Sequence, residues 1–242
     1  MKMKNKQATQ IEAKEVHKKK LQADKRKKRG AEPLLDRQDN SPVKLDKPKI
    51  LIVCEGKNTE PSYFNQFKLS SATIEAVGFG KNTITLVEHI IKNYDLTKYD
   101  EVWCVFDKDD FPNCDFDNAI KKAVSKNIKV AYSNQAFEYW LILHFEDHPG
   151  VGMHRKDYDK KINGYINPDK AFYDGTGNKI ISEDFFDILL EVIDIKSGKK
   201  RVELAIERAK KIHNGFAPHK SPAKEESSTT VFLLVETLLK YI

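Results

Sequence analysis

Apolar positions along the chain follow two rhythms. "KILIVC" at 49–54 and "EVWCVF" at 101–106 are short, nearly unbroken apolar runs that stop at acids, as expected of strands buried on both faces. Residues 83–93 instead place Ile84, Val87, Ile90 and Ile91 at helical spacing, which predicts an amphipathic helix. A helix over 61–68 is expected after the first strand, with Thr59 as its cap and Pro61 in its first turn. A short strand at 73–77, a helix over 115–127 capped by Asp115 and a strand at 128–133 complete a βαβαβαβ order. That order predicts an α/β fold, a mainly parallel sheet flanked by helices on both faces.

A strongly apolar helix, "AFEYWLILHF" at 136–145, follows. Beyond Pro149 the chain turns polar and then yields three helical stretches near 183–194, 200–213 and 229–241. The expected organisation is an N-terminal arm and linker over 1–48, an α/β core over 49–150 and a mostly helical C-terminal extension over 151–242 packed on that core, with a small helical subdomain as the alternative.

Charge changes this picture at one end only. Residues 1–48 hold 15 Lys/Arg against 7 Asp/Glu, a surplus of +8, and the rest of the chain holds 27 against 29. A near-neutral body therefore carries a basic arm, with an exposed or frayed helix expected over 5–29 and a proline-containing linker over 30–48. Its runs "KKK" (18–20) and "KRKKR" (25–29) suit non-specific contact with nucleic-acid phosphates; they equally suit a solvated tail. No apolar run approaches the roughly 20 residues of a membrane span, and the polar N-terminus does not read as a secretory signal. The cysteines, Cys54, Cys104 and Cys114, form no CxxC or Cys/His cluster. Small buried thiols in a reduced, cytoplasmic protein are expected.

The candidate chemistry lies where the strands end. Glu55 and Gly56 directly follow the first strand, Glu60 follows a short turn later, and Asp107, Asp109 and Asp110 follow the strand at 101–106. In open α/β sheets ligands bind beyond the carboxyl ends of the strands. Clustered acids repel unless a cation neutralises them, and hard divalent cations take oxygen donors. Glu55, Asp107 and Asp109 are therefore expected to bind a metal, with Asp110 in an outer position; solvated loop acids are the alternative. Gly56 permits a tight turn and close approach of a phosphate to the backbone, and Lys57 is either a phosphate contact or a surface lysine. Glu138 sits on the apolar helix, where an unpaired charge is costly, so it faces either the metal edge or a cation. His144 is a general base or phosphate contact, or else a hydrogen-bonded core residue, which is the commoner case.

"ILIVCEGKNTEPSYF", "VWCVFDKDD" and "SNQAFEYWLILHF" together resemble the three blocks of the RloB-like protein family, with further similarity in "AIERAKKI" (205–212) and "STTVFLLVETL" near the C-terminus. That family is grouped with the Toprim superfamily, alongside OLD-family nucleases and the Toprim domains of primases and topoisomerases. The resemblance implies a Toprim-like core that binds Mg2+ or Mn2+ through Glu55, Asp107 and Asp109. Glu60 corresponds to the second acid of "EGxxTE", and Glu138 to that of "FExWLxxHF". It also implies substrate contact near Asn134 of the third block. The implied function is a metal-dependent nuclease acting on DNA or on RNA such as tRNA, the toxic effector of a phage-defence system that works with an ABC-type or AAA-like ATPase encoded nearby. A non-catalytic nucleic-acid-binding or regulatory module of the ATPase complex is the alternative.

Three positions depart from the family blocks. Gln135 replaces a proline, and "ESST" (226–229) lacks the Asn and Pro of the last block. "GYIN" (164–167) lacks a lysine, leaving Lys161 or Lys170 as substitutes. The chain has no Walker A pattern, so ATP hydrolysis is expected of a partner. Tyr63, Tyr139 and Tyr165 are unmarked as nucleophiles, which argues against topoisomerase chemistry, and no accessory domain for primer synthesis is visible.

Overall fold

The computed structural model describes residues 14–23, 47–80, 83–110, 112–149 and 151–242. Two compact units divide it, residues 1–46 and 47–242. In the first, residues 14–23 are helical (α1) and exposed throughout, as expected; most of the linker expected over 30–48 lies outside the described residues.

The second unit holds, among the described residues, a four-stranded all-parallel sheet in the order β2-β1-β3-β4. The strands are β1 (Lys49–Cys54), β2 (Thr73–Gly78), β3 (Glu101–Asp107) and β4 (Lys129–Ser133). The α/β expectation is thus met. Both faces of the sheet are apolar because side chains alternate along each strand. Ile50, Ile52 and Cys54 point into one core cluster with Trp103, Val105 and Ala131, while Leu51 and Val53 point into the other with Val102, Cys104 and Phe106.

Helices α3 (Thr83–Asn93) and α4 (Asn113–Ser125) cover the second face. The first face is covered by α2 (Thr59–Phe64), α5 (Glu138–Ile142), α6 (Tyr158–Ile166), α7 (Glu183–Leu190), α8 (Arg201–Gly215) and α9 (Val231–Leu239). Residues beyond 150 therefore share a core with the sheet.

Chain order makes the site. The path runs from β1 outward to β2, then back across β1 to β3 and on to β4. The direction reverses between β1 and β3, and a crevice opens beyond the carboxyl ends of strands at such a point.

Several local expectations are corrected. Helix α2 ends four residues early, and Thr59 is its first residue, not its cap; the Thr59 hydroxyl lies 3.3 Å from the Tyr173 hydroxyl. Helix α4 starts two residues early at Asn113, because its N-cap position is Pro112, so Asp115 sits inside the first turn. Helix α5 is one short segment, with hydrogen-bonded turns carrying the chain on to Phe145. Helix α6 had no counterpart among the expected elements.

Candidate metal and phosphate site

Glu55 is delivered by the ladder itself. Its N–H donates to the Val105 carbonyl at 2.8 Å, extending β1–β3 pairing one residue past the strand, and its own carbonyl accepts from Gly80 N–H at 2.8 Å. One carboxylate oxygen accepts from the Asp107 N–H and the Thr83 hydroxyl, both at 3.4 Å. Gly56 then turns the chain, and its N–H donates to Glu60 at 3.1 Å. A Cβ at position 56 would collide with the Glu60 carboxylate, and one at Gly78 would press on the backbone of Gly56 and Lys57. Glycine at 56 and 78 is what lets the turn, the neighbouring strand end and Glu60 pack together.

Asp107 closes β3, and its carboxylate accepts from Phe137 N–H at 3.1 Å. Asp109 adopts a left-handed backbone (φ +43°), donates its N–H to the Gln135 carbonyl at 3.2 Å and pairs through its carboxylate with Arg155. Glu138 opens α5 and accepts from the Tyr173 hydroxyl at 2.8 Å. The five carboxylates Glu55, Glu60, Asp107, Asp109 and Glu138 line one cavity of about 260 Å3, together with Gly56, Lys57, Arg155 and Lys179. A second cavity of about 320 Å3 shares Glu138, Arg155 and Lys179 and adds Asp110, His154 and Lys156.

Three of the acids, Glu55, Glu60 and Asp107, hold protons more tightly than free carboxyls. Burial, and then repulsion from Glu60, lift Glu55 from its ordinary 4.5 to about 7, against the hydrogen bonds it accepts. Burial lifts Glu60 to about 7 as well, with Glu138 adding repulsion. Asp107 is held well above its usual range by burial, then by Glu60, Glu138 and Glu55. An oxygen-only donor set whose members raise one another in this way is suited to a hard divalent cation. The acids are spread as well as clustered. Among the described residues, no trio of these carboxylates brings its donor atoms within 4.8 Å of one another. Mg2+, which takes few carboxylates and keeps several waters, tolerates such spacing.

Glu55, Glu60, Asp107, Asp109, Glu138, Gly56 and Lys57 are thus brought together as the sequence led us to expect. Two residues expected at the site lie elsewhere. Asn134 is buried behind β4, where its side chain donates to the Pro222 carbonyl at 3.0 Å and its N–H to the Ser228 carbonyl at 2.7 Å. His144 lies in the core with Nδ1 3.0 Å from the Trp140 carbonyl, and burial pushes its pKa from 6.5 down to about 3. It is the core histidine that its apolar setting favours. Neither substitute lysine lines the cavity: Lys161 pairs with Glu146 and Lys170 ends a short turn, whereas Lys179 lines both cavities. Tyr63 and Tyr139 are fully buried. Arg155 and Lys179, which face the acids, carried no spacing signal in the sequence.

The profile of the family described as RloB-like protein matches residues 50–238. Neither the curated proteins nor the solved structures yield a match to the chain.

Proposed function

The chain belongs to the RloB-like protein family, and we propose that it is a metal-dependent nuclease whose site is the acid-lined cavity between the ends of β1 and β3. The observation that carries this reading is the convergence of Glu55, Glu60, Asp107, Asp109 and Glu138 with Arg155, Lys179 and Lys57 in one crevice. Acids alone would repel a phosphodiester; acids beside three cations provide for both a metal and a phosphate.

Asp107, Asp109 and Glu55 would hold Mg2+ or Mn2+, with Glu60 and Glu138 completing the oxygen set. The chemistry such an ion would supply there is polarisation of the scissile phosphate and a lowered pKa for an attacking water. The remaining work falls to the chain. Glu55, with a pKa of about 7, is poised to accept a proton near neutral pH wherever it is free of metal. Arg155 offers a planar fork of donors to phosphate oxygens and must trade its pairing with Asp109 to do so. Lys179 and Lys57 supply further positive charge, and the Tyr173 hydroxyl fixes Glu138. Action with an ATPase partner in phage defence, in the cytoplasm, completes the reading. Among the described residues no helix is long and apolar enough to cross a membrane.

The test is cleavage of a panel of tRNA, single-stranded RNA, plasmid and linear DNA by wild type and Glu55→Gln, each with Mg2+, Mn2+ or EDTA. Metal-dependent cutting that the substitution removes supports the nuclease and names its substrate class. Silence both alone and with the partner ATPase overturns it in favour of a binding or regulatory module.

A further inference from the structure

A second group of metal-ligating side chains lies apart from the acid cavity, at the connection between α8 and α9. His213 comes from the last turn of α8, His219 from the loop that follows, and Glu225 from the end of the short turn Pro222–Lys224. His219 Nδ1 lies 3.0 Å from one oxygen of Glu225, and His213 Nδ1 lies 3.7 Å from the other. The two imidazoles stack at 4.0 Å with an interplanar angle of 12°. All three donor atoms fall within 4.8 Å of one another, the one such trio among the described residues.

Two features separate this cluster from an ordinary ion pair. His213 Nδ1 is shielded from solvent and has no hydrogen-bond partner, and a buried ring nitrogen left in that state calls for an explanation. Glu225 is only 3 % exposed, yet two stacked imidazoles share its single charge. A cation drawn in among the three donors would satisfy the orphan nitrogen and engage the Glu225 carboxylate at the same time. The Tyr132 hydroxyl already donates to Glu225 at 2.9 Å from β4, as an outer partner that orients a ligating carboxylate does.

We propose that His213, His219 and Glu225 form a site for a borderline-soft divalent cation, Zn2+ above all, that fastens the α8–α9 connection to β4. Two imidazole nitrogens and one carboxylate match Zn2+ and disfavour Mg2+, which takes oxygen donors. An imidazole nitrogen binds a metal in its own ring plane, so donors about 2.0–2.2 Å from a tetrahedral ion require one of the two stacked rings to rotate out of the stack while His213 Nδ1 and Glu225 close from 3.7 Å; His219, on a loop, has that freedom. The site is independent of the nuclease reading, since it shares no residue with the acid cavity. Its consequence is structural: Glu225 leads directly into residues 226–230, which pair with the end of β4, where Ser133 is in register with Asp107.

The experiment uses the untagged full chain, stripped with a chelator and titrated with Co2+ in excess Mg2+, then back-titrated with Zn2+. Expected is saturable uptake of a single equivalent with the intense visible bands of four-coordinate Co2+, displaced by Zn2+ and retained in Glu55→Gln. His213→Gln and His219→Gln should each abolish it, and Tyr132→Phe should weaken it about 10–100-fold. Absence of these bands from the wild type overturns the site whatever the variants do. So does undiminished uptake by folded His213→Gln or His219→Gln, which would leave the cluster a hydrogen-bonded ion pair only.

Discussion

Glu60 shows how a single residue is held at a cost. It is 4 % exposed, accepts from the Gly56 N–H and has a pKa raised from 4.5 to about 7, chiefly by burial. A carboxyl whose folded pKa exceeds its unfolded value favours the unfolded state as pH rises, because the unfolded chain ionises first. Its penalty is absent below about pH 4.5, grows up to about pH 7 and is constant above. Thermal unfolding of Glu60→Gln in EDTA should therefore gain on wild type across that window, by on the order of 1 kcal/mol or more; a pH-independent difference would contradict the assignment. Saturating Mg2+ should shrink the difference by stabilising the wild type. Gly56→Ala should weaken Mg2+ binding by at least the roughly 10-fold that loss of even an outer partner costs, because the new Cβ drives Glu60, one of the proposed oxygen donors, aside; calorimetric titration measures it. Glu55 and Asp107 were legible because each directly follows an apolar run that ends abruptly, and Glu138 because it interrupts one. Arg155 and Lys179 were not, since a basic residue in a polar stretch shows its partner only once the chain has folded. His144 was legible only as a choice between site and core, and its hydrogen bond with Trp140 decides for the core.

At the scale of elements, the strands and α3 were read almost to the residue because periodicity and burial agree there. α6 escaped notice: Tyr158, Ile162 and Ile166 are its buried positions, four residues apart, but Asp159, Lys160, Lys161, Asn163 and Gly164 dilute the pattern. Short helices held by tertiary packing obey propensity least. α2 and α5 are of that kind, and one hydrogen bond locks them together. Trp140 Nε1 donates to the Tyr63 hydroxyl at 3.1 Å, while the Tyr63 ring packs edge-on against Phe67, Phe137 and Phe186. Tyr63→Phe keeps the rings and strands the indole N–H, so denaturant unfolding should show a destabilisation of about 1–3 kcal/mol. Unchanged stability would mean that the bond contributes nothing to the packing of α2 on α5. The "ESST" segment lacks the family's Asn and Pro, yet it has a clear physical role. Thr230 N–H and the Thr229 hydroxyl both donate to the Tyr132 carbonyl, closing part of the open edge of β4.

Across the whole molecule, charge and compactness are segregated. The basic surplus lies in residues 1–48, while residues 47–242 form one compact unit. Deleting residues 1–30 should leave the melting transition of that unit unchanged and lower nucleic-acid affinity. The salt dependence of binding should become shallower by about 0.7–0.9 in slope for each phosphate that the arm neutralises; an unchanged slope would free the arm for another partner. The parallel sheet was foreseeable from chain order, because strand–helix alternation admits few topologies. The joining of α6–α9 to the same core was less so, since nothing local in a helix states which surface it covers. The central claim is that the crevice between β1 and β3 performs metal-dependent phosphodiester cleavage. Its most direct test is the cleavage rate as a function of Mg2+ concentration for wild type and Asp107→Asn, on the substrate that the panel identifies and with folding verified. A metal-dependent nuclease predicts a saturable Mg2+ dependence in the wild type and a rate at least about 100-fold lower in the folded variant. Equal rates in the two proteins would contradict it.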